Sequence, residues 1–293
     1  MNLTFWTVII AYLVAINTTL IGSFLVVRKQ AMLGDAISHS ALLGIVIAFL
    51  ATGSMHPVII LVGAIIAGVV NTLLVGFLQH QIRISTDVAI TFTVSLFFAL
   101  AILLIVLYTE KVDLDLECVL YGQLPMMPFD VWMYQGYNLG PKTFYLLTLL
   151  LITNVGFIYL CYPQLILTSF DPTFASIIGV NTKRWHYSLM IMTALTTVLT
   201  YKVVGSVLVL GFLVIPINTI YLISSKSLSK IIIYSFILNL YIILGGYQLA
   251  LVTNGSIIGA TITTAGIFFL LSFALYRYKK STTRSSRQTR KIA

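Results

Sequence analysis

Residues 88–109 read VAITFTVSLFFALAILLIVLYT, a run without a single charged side chain. At a helical rise of 1.5 Å per residue, roughly 20 apolar residues cross a hydrocarbon core about 30 Å thick. This run therefore reads as a membrane span. Uncharged runs of similar kind occupy residues 5–27, 36–55, 58–79, 144–162, 185–201, 203–225, 231–253 and 255–276. Only a few residues separate several of them, as in an up-and-down helical bundle. The sixth run is short and the second carries His39, so the sequence predicts eight to nine transmembrane helices, eight if one segment is re-entrant or broken.

Composition leads to the same class. Soluble domains are roughly 45–50% apolar and about 25% charged. This chain of 293 residues is 59% apolar and 9% charged, with a mean hydropathy of +1.02. A water-soluble core cannot hide that much apolar surface, whereas a lipid-facing bundle has no need to. The expectation is an all-α polytopic membrane protein with one membrane domain, residues 1–276. The first run lacks a basic leading segment and a small-residue cleavage site, so it reads as a retained helix rather than a signal peptide.

The net charge of +9 is explained by where the charges lie. With the N-terminus outside, Arg28, Lys29, Arg83, Lys183, Arg184, Lys226, Lys230 and the basic residues of the tail fall on the cytoplasmic side. Of the 17 basic residues only Lys111, Lys142 and Lys202 fall outside. That asymmetry favours an N-out, C-in orientation, which an odd number of spans satisfies. Glu110, Asp113, Asp115, Glu117 and Asp130 gather in one outer loop. Residues 277–293 form a basic tail, expected to lie disordered on the anionic inner leaflet. There is no basic domain to carry nucleic-acid binding. Cys118 and Cys161 lack C-x-x-C spacing and fall on opposite sides, so no disulfide framework is expected.

Ionisable side chains within spans are costly and are functional candidates by default. The clearest pair is Asp35 and His39, four residues apart and so on one helix face. A carboxylate oxygen and an imidazole nitrogen there could give two ligands to a divalent cation, with imidazole suiting Zn, Fe, Ni or Cu and carboxylate extending the range towards Mn. Two donors make half a site. The pair reads equally as a helix start, with Asp35 as N-cap and His39 bonded to a carbonyl or hydroxyl. Asp87 opens the fourth span and suits N-terminal capping. His80 reads as a loop residue and His56 as part of an outer turn.

Between the fifth and sixth spans, residues 170–179 (FDPTFASIIG) read as a short helix with Asp171 as N-cap, Pro172 at N1 and Gly179 as its stop. Phe174, Ile177 and Ile178 give it an apolar face with no span to cover it. Such a helix lies on the bilayer or docks into another protein. No G-x-x-x-x-G-K-[ST] phosphate loop, H-E-x-x-H, G-x-S-x-G or C-x-x-C motif is present, which excludes the familiar P-loop ATPase and intramembrane hydrolase chemistries.

Several stretches, in order, resemble the ABC-type manganese/zinc/iron permeases. They are residues 22–39 (GSFLVVRKQAMLGDAISH), 84–90 (ISTDVAI), 113–115 (DLD) with 120–124 (LYGQL), Phe170-Asp171-Pro172 with Ala175 and Gly179, and 204–209 (VGSVLV) leading to Ile215-Pro216. The resemblance covers roughly residues 20 to 275. It implies the pore-forming subunit of an ABC importer for Mn, Zn or Fe in the bacterial cytoplasmic membrane. The implied partners are a second permease copy, cytoplasmic ATPase subunits and an extracellular or periplasmic metal-binding protein. No permanently bound cofactor is implied, only the transported divalent cation, and ATP hydrolysis belongs to a partner chain.

The resemblance also implies roles for single residues. Asp35 and His39 match the metal pair of the translocation path, and Asp171, Phe174, Ala175 and Gly179 match the helix that couples permease to ATPase. Where the family tends to carry an acidic residue followed by Pro and Gly near the last outer turn, residues 252–259 (VTNGSIIG) offer Asn254 and no proline. Asn254 is therefore a further candidate metal ligand. The drawn topology places Asp35 close to the cytoplasmic end, whereas a transport site belongs deeper; a break near Leu33-Gly34 would reconcile the two. Gly22-Ser-x-Leu-Val and Gly205-Ser-x-Leu-Val hint at an internal repeat. Two other readings stand beside this one: an ABC permease for an iron chelate or other small solute, and a stand-alone secondary transporter relaying protons through Asp35 and His39.

Overall fold

The computed structural model describes residues 3–54, 56–108, 124–134, 137–223 and 227–292. Its helices are α1 (Leu3–Val27), α2 (Leu33–Thr52), α3 (Pro57–Gln81), α4 (Thr86–Tyr108), α5 (Lys142–Phe170), α6 (Pro172–Ile177), α7 (Thr182–Ile223), α8 (Leu228–Thr253) and α9 (Ile257–Ile292). A 3-10 turn (Met127–Phe129) and a two-stranded antiparallel ribbon, β1 (Val131–Tyr134) and β2 (Tyr137–Pro141), precede α5. Among the described residues, eight helices are long and apolar enough to cross a membrane. A lipid environment offers backbone groups no water to bond, so each run closes its hydrogen bonds within itself as a helix.

Helix ends follow local chemistry. Gly53 terminates α2 in the left-handed conformation, its N–H bonding Phe49 O. Pro57 opens α3, where a missing N–H costs nothing. Asn254 closes α8, again left-handed, with its N–H on Ala250 O. The sequence expected a long connection from residue 163 to 184. Instead α5 runs through Pro163 to Phe170, and only residues 171–181 separate it from α7.

Helix α7 has 42 residues, about 63 Å of helix and twice what a span requires. It doubles back. Tyr187, near its start, meets Gly76 of α3. Lys202 and Val203 share a pocket with Leu61, Asp130 and Lys142 at the opposite end of the bundle. Tyr221 lies with Val27, Lys29 and Leu228, back at the first end. The reversal falls at Gly205, whose φ of 78° and ψ of 167° are non-helical. The two runs expected at 185–201 and 203–225 are thus the arms of one hairpin. Among the described residues, eight long helices make nine passes of the bundle, which is how the eight and the nine of the sequence coexist.

Small residues let the passes touch. A Cβ built on Gly22 of α1 would lie 2.3 Å from Leu213 O of α7, and one on Gly44 of α2 would lie 2.1 Å from Gly63 O of α3. Buried amides add interhelical hydrogen bonds. Asn17 Nδ2 donates to Leu147 O at 3.2 Å, Asn154 Nδ2 to Asn17 Oδ1 at 3.0 Å, and Thr196 Oγ1 to Asn154 Oδ1 at 3.1 Å, tying α1, α5 and α7. Asn239 Nδ2 on α8 donates to Thr19 Oγ1 at 2.8 Å, and Thr19 Oγ1 to Phe212 O at 2.9 Å. Such bonds contribute about 0.6 kcal/mol each on average within a bilayer.

At the Lys142 end, Phe5, Trp6, Phe144, Tyr145 and Trp132 form a ladder of edge-to-face rings, with centroids 5.4 to 6.0 Å apart. Aromatic rings of this kind collect at membrane–water boundaries.

The turn of α7 needs glycine. Its φ/ψ lies in a region that side-chain-bearing residues occupy only at a cost on the order of 1–3 kcal/mol. Gly205→Ala should therefore lower the thermal stability of the purified protein in detergent. Gly211→Ala, whose added Cβ meets nothing closer than 3.6 Å, should leave it nearly unchanged. Equal melting temperatures for both variants would refute the hairpin constraint.

Candidate metal centre and docking helix

The N-cap of α2 is Met32, without a side-chain hydrogen bond. Asp35 therefore sits inside the first turn rather than at the cap. His39 follows one turn later, its Nε2 3.5 Å from Asp35 Oδ1. Neither side chain is sealed: His39 is 31% exposed and Asp35 42%. The His39 ring stands edge-on to Phe98 of α4, centroids 5.9 Å apart. Asp35 opens onto a cleft of about 450 Å³ between α2 and α4, lined also by Met32, Asp87, Thr91 and Ser95.

The other face of α2 fixes the pair. Leu33, Ala36 and Ile37 are fully buried. Asn71 Nδ2 of α3 donates to Ala36 O at 3.2 Å, and Ile37 packs against Gly68 near the middle of α3. From Asn71, α3 continues to Gln81, about 15 Å of further helix. The two donors consequently lie well inside the end of the bundle. The chain reverses over residues 28–32, with Lys29 at φ 58°, and α2 begins at Leu33. The break lies just before Leu33-Gly34, at the place the sequence suggested for it.

Asp87 was expected to serve the start of α4. It does lie in the first turn, but it also faces the same cleft as Asp35. The signal was present in the sequence: Asp87, Thr91 and Ser95 recur every fourth residue, a polar stripe on a mostly apolar helix. Among the described residues, no group of three or more His, Cys, Asp or Glu side chains could hold a metal. Asp35 and His39 of one chain would give a cation two donors, fewer than a complete coordination shell requires.

The remaining candidates lie elsewhere. Asn254 is at the end of α8 opposite Leu228, which adjoins Lys29. The structure does not bring Asn254 to Asp35 and His39. Its left-handed φ of 51° suits a residue that tolerates that conformation. His56 is the N-cap residue of α3, its N–H on Ser54 Oγ at 3.2 Å. His80 falls within α3 rather than in a loop. The acidic stretch 110–117, Cys118 and residues 120–123 lie outside the described residues.

The short helix stands as its sequence suggests. Asp171 Oδ1 accepts from Phe174 N at 2.9 Å, capping α6. Gly179 follows at φ 82° with Val180 N on Ala175 O at 3.0 Å. Ala175 is buried, whereas Phe170, Phe174, Ile177 and Ile178 are all more than half exposed. Four large apolar side chains at one end of the bundle are thus left uncovered.

The ABC 3 transport family matches residues 1–276. The manganese transport system membrane protein MntD of Bacillus subtilis (strain 168) is 36% identical over 273 residues, covering 93% of this chain and 92% of that protein. The zinc transport system membrane protein TroD of Treponema pallidum (strain Nichols) is 30% identical over 271 residues, covering 92% and 73%. Among solved structures, PsaBC from Streptococcus pneumoniae in complex with Fab superposes with a TM-score of 0.74 at 27% identity, over 93% of this chain and 91% of the matched one.

Proposed function

This chain belongs to the ABC 3 transport family, and on that premise we propose that it is the membrane subunit of an ATP-driven importer of divalent metal ions, with Asp35 and His39 as its share of the cation site. The observation that carries this reading is the pairing of one carboxylate and one imidazole 3.5 Å apart on α2, both partly exposed, with the carboxylate open to a cleft. An O/N donor pair suits Mn, Zn and Fe. Relatives named for manganese and for zinc transport support the same cargo class.

A second copy of the chain would raise two donors to four. The pair lies on a partly exposed face of α2, so two copies related by a two-fold axis can each present it to a shared cation. ATP hydrolysis belongs to a partner, since this chain has no phosphate loop. Helix α6 is the docking element for that partner: a capped, rigid turn that exposes Phe174, Ile177 and Ile178. Closure of the ATPase subunits would move α6 and rock the two permease copies between outward- and inward-open forms. With basic residues concentrated at the Arg28 end, that end faces the cytoplasm. The Lys142 end would then receive cations from an external binding protein.

Cells whose only importer carries Asp35→Ala or His39→Ala should lose uptake of Mn, Zn and Fe to background while membrane levels of the protein stay normal. Undiminished uptake of all three ions would sink the ligand assignment. If both variants still bind cation but lose a proton dependence, they act as a proton relay instead.

Phe174→Asp places a charge on the exposed face of α6. It should abolish ATP-driven uptake and weaken recovery of the ATPase subunit with the permease, with insertion unaffected. Normal uptake by this variant would remove α6 from the coupling role.

A further inference from the structure

Arg28 follows the last residue of α1, and its side chain is largely buried. Nε donates to Ser169 Oγ at 2.9 Å, Nη2 donates to Thr168 Oγ1 at 2.9 Å, and Nη1 lies 3.4 Å from His186 Nδ1. Thr168 and Ser169 belong to the last turn of α5, and His186 to the first turns of α7. Between those positions runs the excursion that carries α6. One guanidinium therefore clasps both legs of the excursion at its base.

The clasp has an unusual composition. Among the described residues Arg28 forms no ion pair; the two present join His39 to Asp35 and Lys142 to Asp130. Burial lowers its pKa to about 10, which leaves it charged at neutral pH. A buried cation without a counter-charge is costly, and an apolar or neutral residue would fill the space more cheaply. What arginine adds is a rigid planar fork that can hold several acceptors in fixed directions.

The other side of Arg28 leads to the metal pair by a short, stiff path. Gln30 N bonds Leu25 O at 2.8 Å and Leu33 N bonds Gln30 O at 3.1 Å, so the reversal is internally bonded. Helix α2 starts at Leu33, and Asp35 is in its first turn. Only residues 29–32 intervene between the clasp and the helix that bears the donors.

We propose that Arg28 is the transmission residue of the importer, tying the legs of α6 to the α1–α2 reversal so that displacement of α6 displaces Asp35 and His39. The proposal rests on the reading of α6 as the ATPase docking helix. It is a positioning role, since Arg28 touches neither cation nor nucleotide. The alternative route for the same motion is direct packing of α7 on α2, which bypasses Arg28.

The test uses the whole importer, permease with ATPase subunits and binding protein, reconstituted in vesicles. The quantities measured are Mn transported per ATP hydrolysed, ATPase rate, and Mn bound by the purified permease at equilibrium. Arg28→Met should assemble, bind Mn and hydrolyse ATP, with transport per ATP reduced roughly fivefold or more, the lower end of typical coupling between linked sites. Arg28→Lys should fall between, because a point ammonium cannot span three acceptors. A wild-type ratio in assembled Arg28→Met overturns the proposal.

Should Arg28→Met fail to assemble, the double variant Thr168→Val with Ser169→Ala decides, since it removes two acceptors and leaves the arginine. A wild-type ratio there also overturns the proposal, and a reduced ratio supports it. Phe174→Asp separates the two claims. If it uncouples while Arg28→Met does not, the transmission role alone fails; if it leaves coupling intact, the docking role of α6 fails.

Discussion

The backbones of α2 and α3 meet at Gly44 and Gly63, and the placement of Asp35 and His39 depends on that contact. A Cβ on Gly44 would sit 2.1 Å from Gly63 O, and one on Gly63 2.5 Å from Gly44 O. No side chain of any size fits between the helices. In lipid there is no hydrophobic gain from bringing two apolar helices together, so close van der Waals approach at small residues supplies much of the association. The same device joins α1 to α7 at Gly22 and α8 to α9 at Gly246, where an added Cβ would lie 2.5 Å from Thr261 Cα. With α2 locked to α3, the buried face of Leu33, Ala36 and Ile37 is fixed, which turns Asp35 to the cleft and His39 to Phe98 of α4.

Glycine contacts set distance, and the buried amides set register. Asn17, Asn154 and Thr196 are all at most 2% exposed and bond in series across α1, α5 and α7. Sliding any of these helices by one residue would strand a polar group in an apolar interior, which costs more than the bond itself contributes. Asn239 and Thr19 do the same for α8, α1 and the returning arm of α7. The hairpin at Gly205 is thus held on both arms by hydrogen bonds to the helices it passes, and its non-helical turn is determined by what surrounds it.

The spans were legible because an apolar run of membrane length has no other stable home. The gathering of most basic residues at one end of the bundle was legible for the same reason, as charge is costly within the spans. The hairpin was less so. Lys202 read as a loop residue between two runs, yet it lies within continuous helix; the reversal three residues later is a backbone conformation that Gly205 permits but does not announce. The matching Gly22 and Gly205 motifs prove to do different things, one packing against a carbonyl and the other turning the chain. Pro163 read as the end of a span, although a proline can sit inside a helix that tertiary packing sustains. In the site, the spacing of Asp35 and His39 carried their shared face directly. Asp87 is harder to pick out, because an acid in a first turn satisfies the helix dipole and so invites no second explanation.

Helix α2 bears both Asp35 and His39, and under the proposed function this shapes how a split site would work. In the proposed dimer each copy contributes a carboxylate and an imidazole that move together, because 3.5 Å and one helical turn separate them. The coordination shell is then complete only when the two α2 helices stand at the right separation. A rigid-body shift between copies alters two ligand distances at once, and first-row cations tolerate only a few tenths of an ångström in such distances. Affinity for the cation thereby becomes a function of subunit arrangement, and a ligand shifts an equilibrium only through such a difference in affinity between states. Cation loading would favour the arrangement that completes the shell, and ATP-driven motion would disrupt it. In that proposed arrangement, dividing the site between copies would give the importer a mechanical release that a closed shell within one chain would lack.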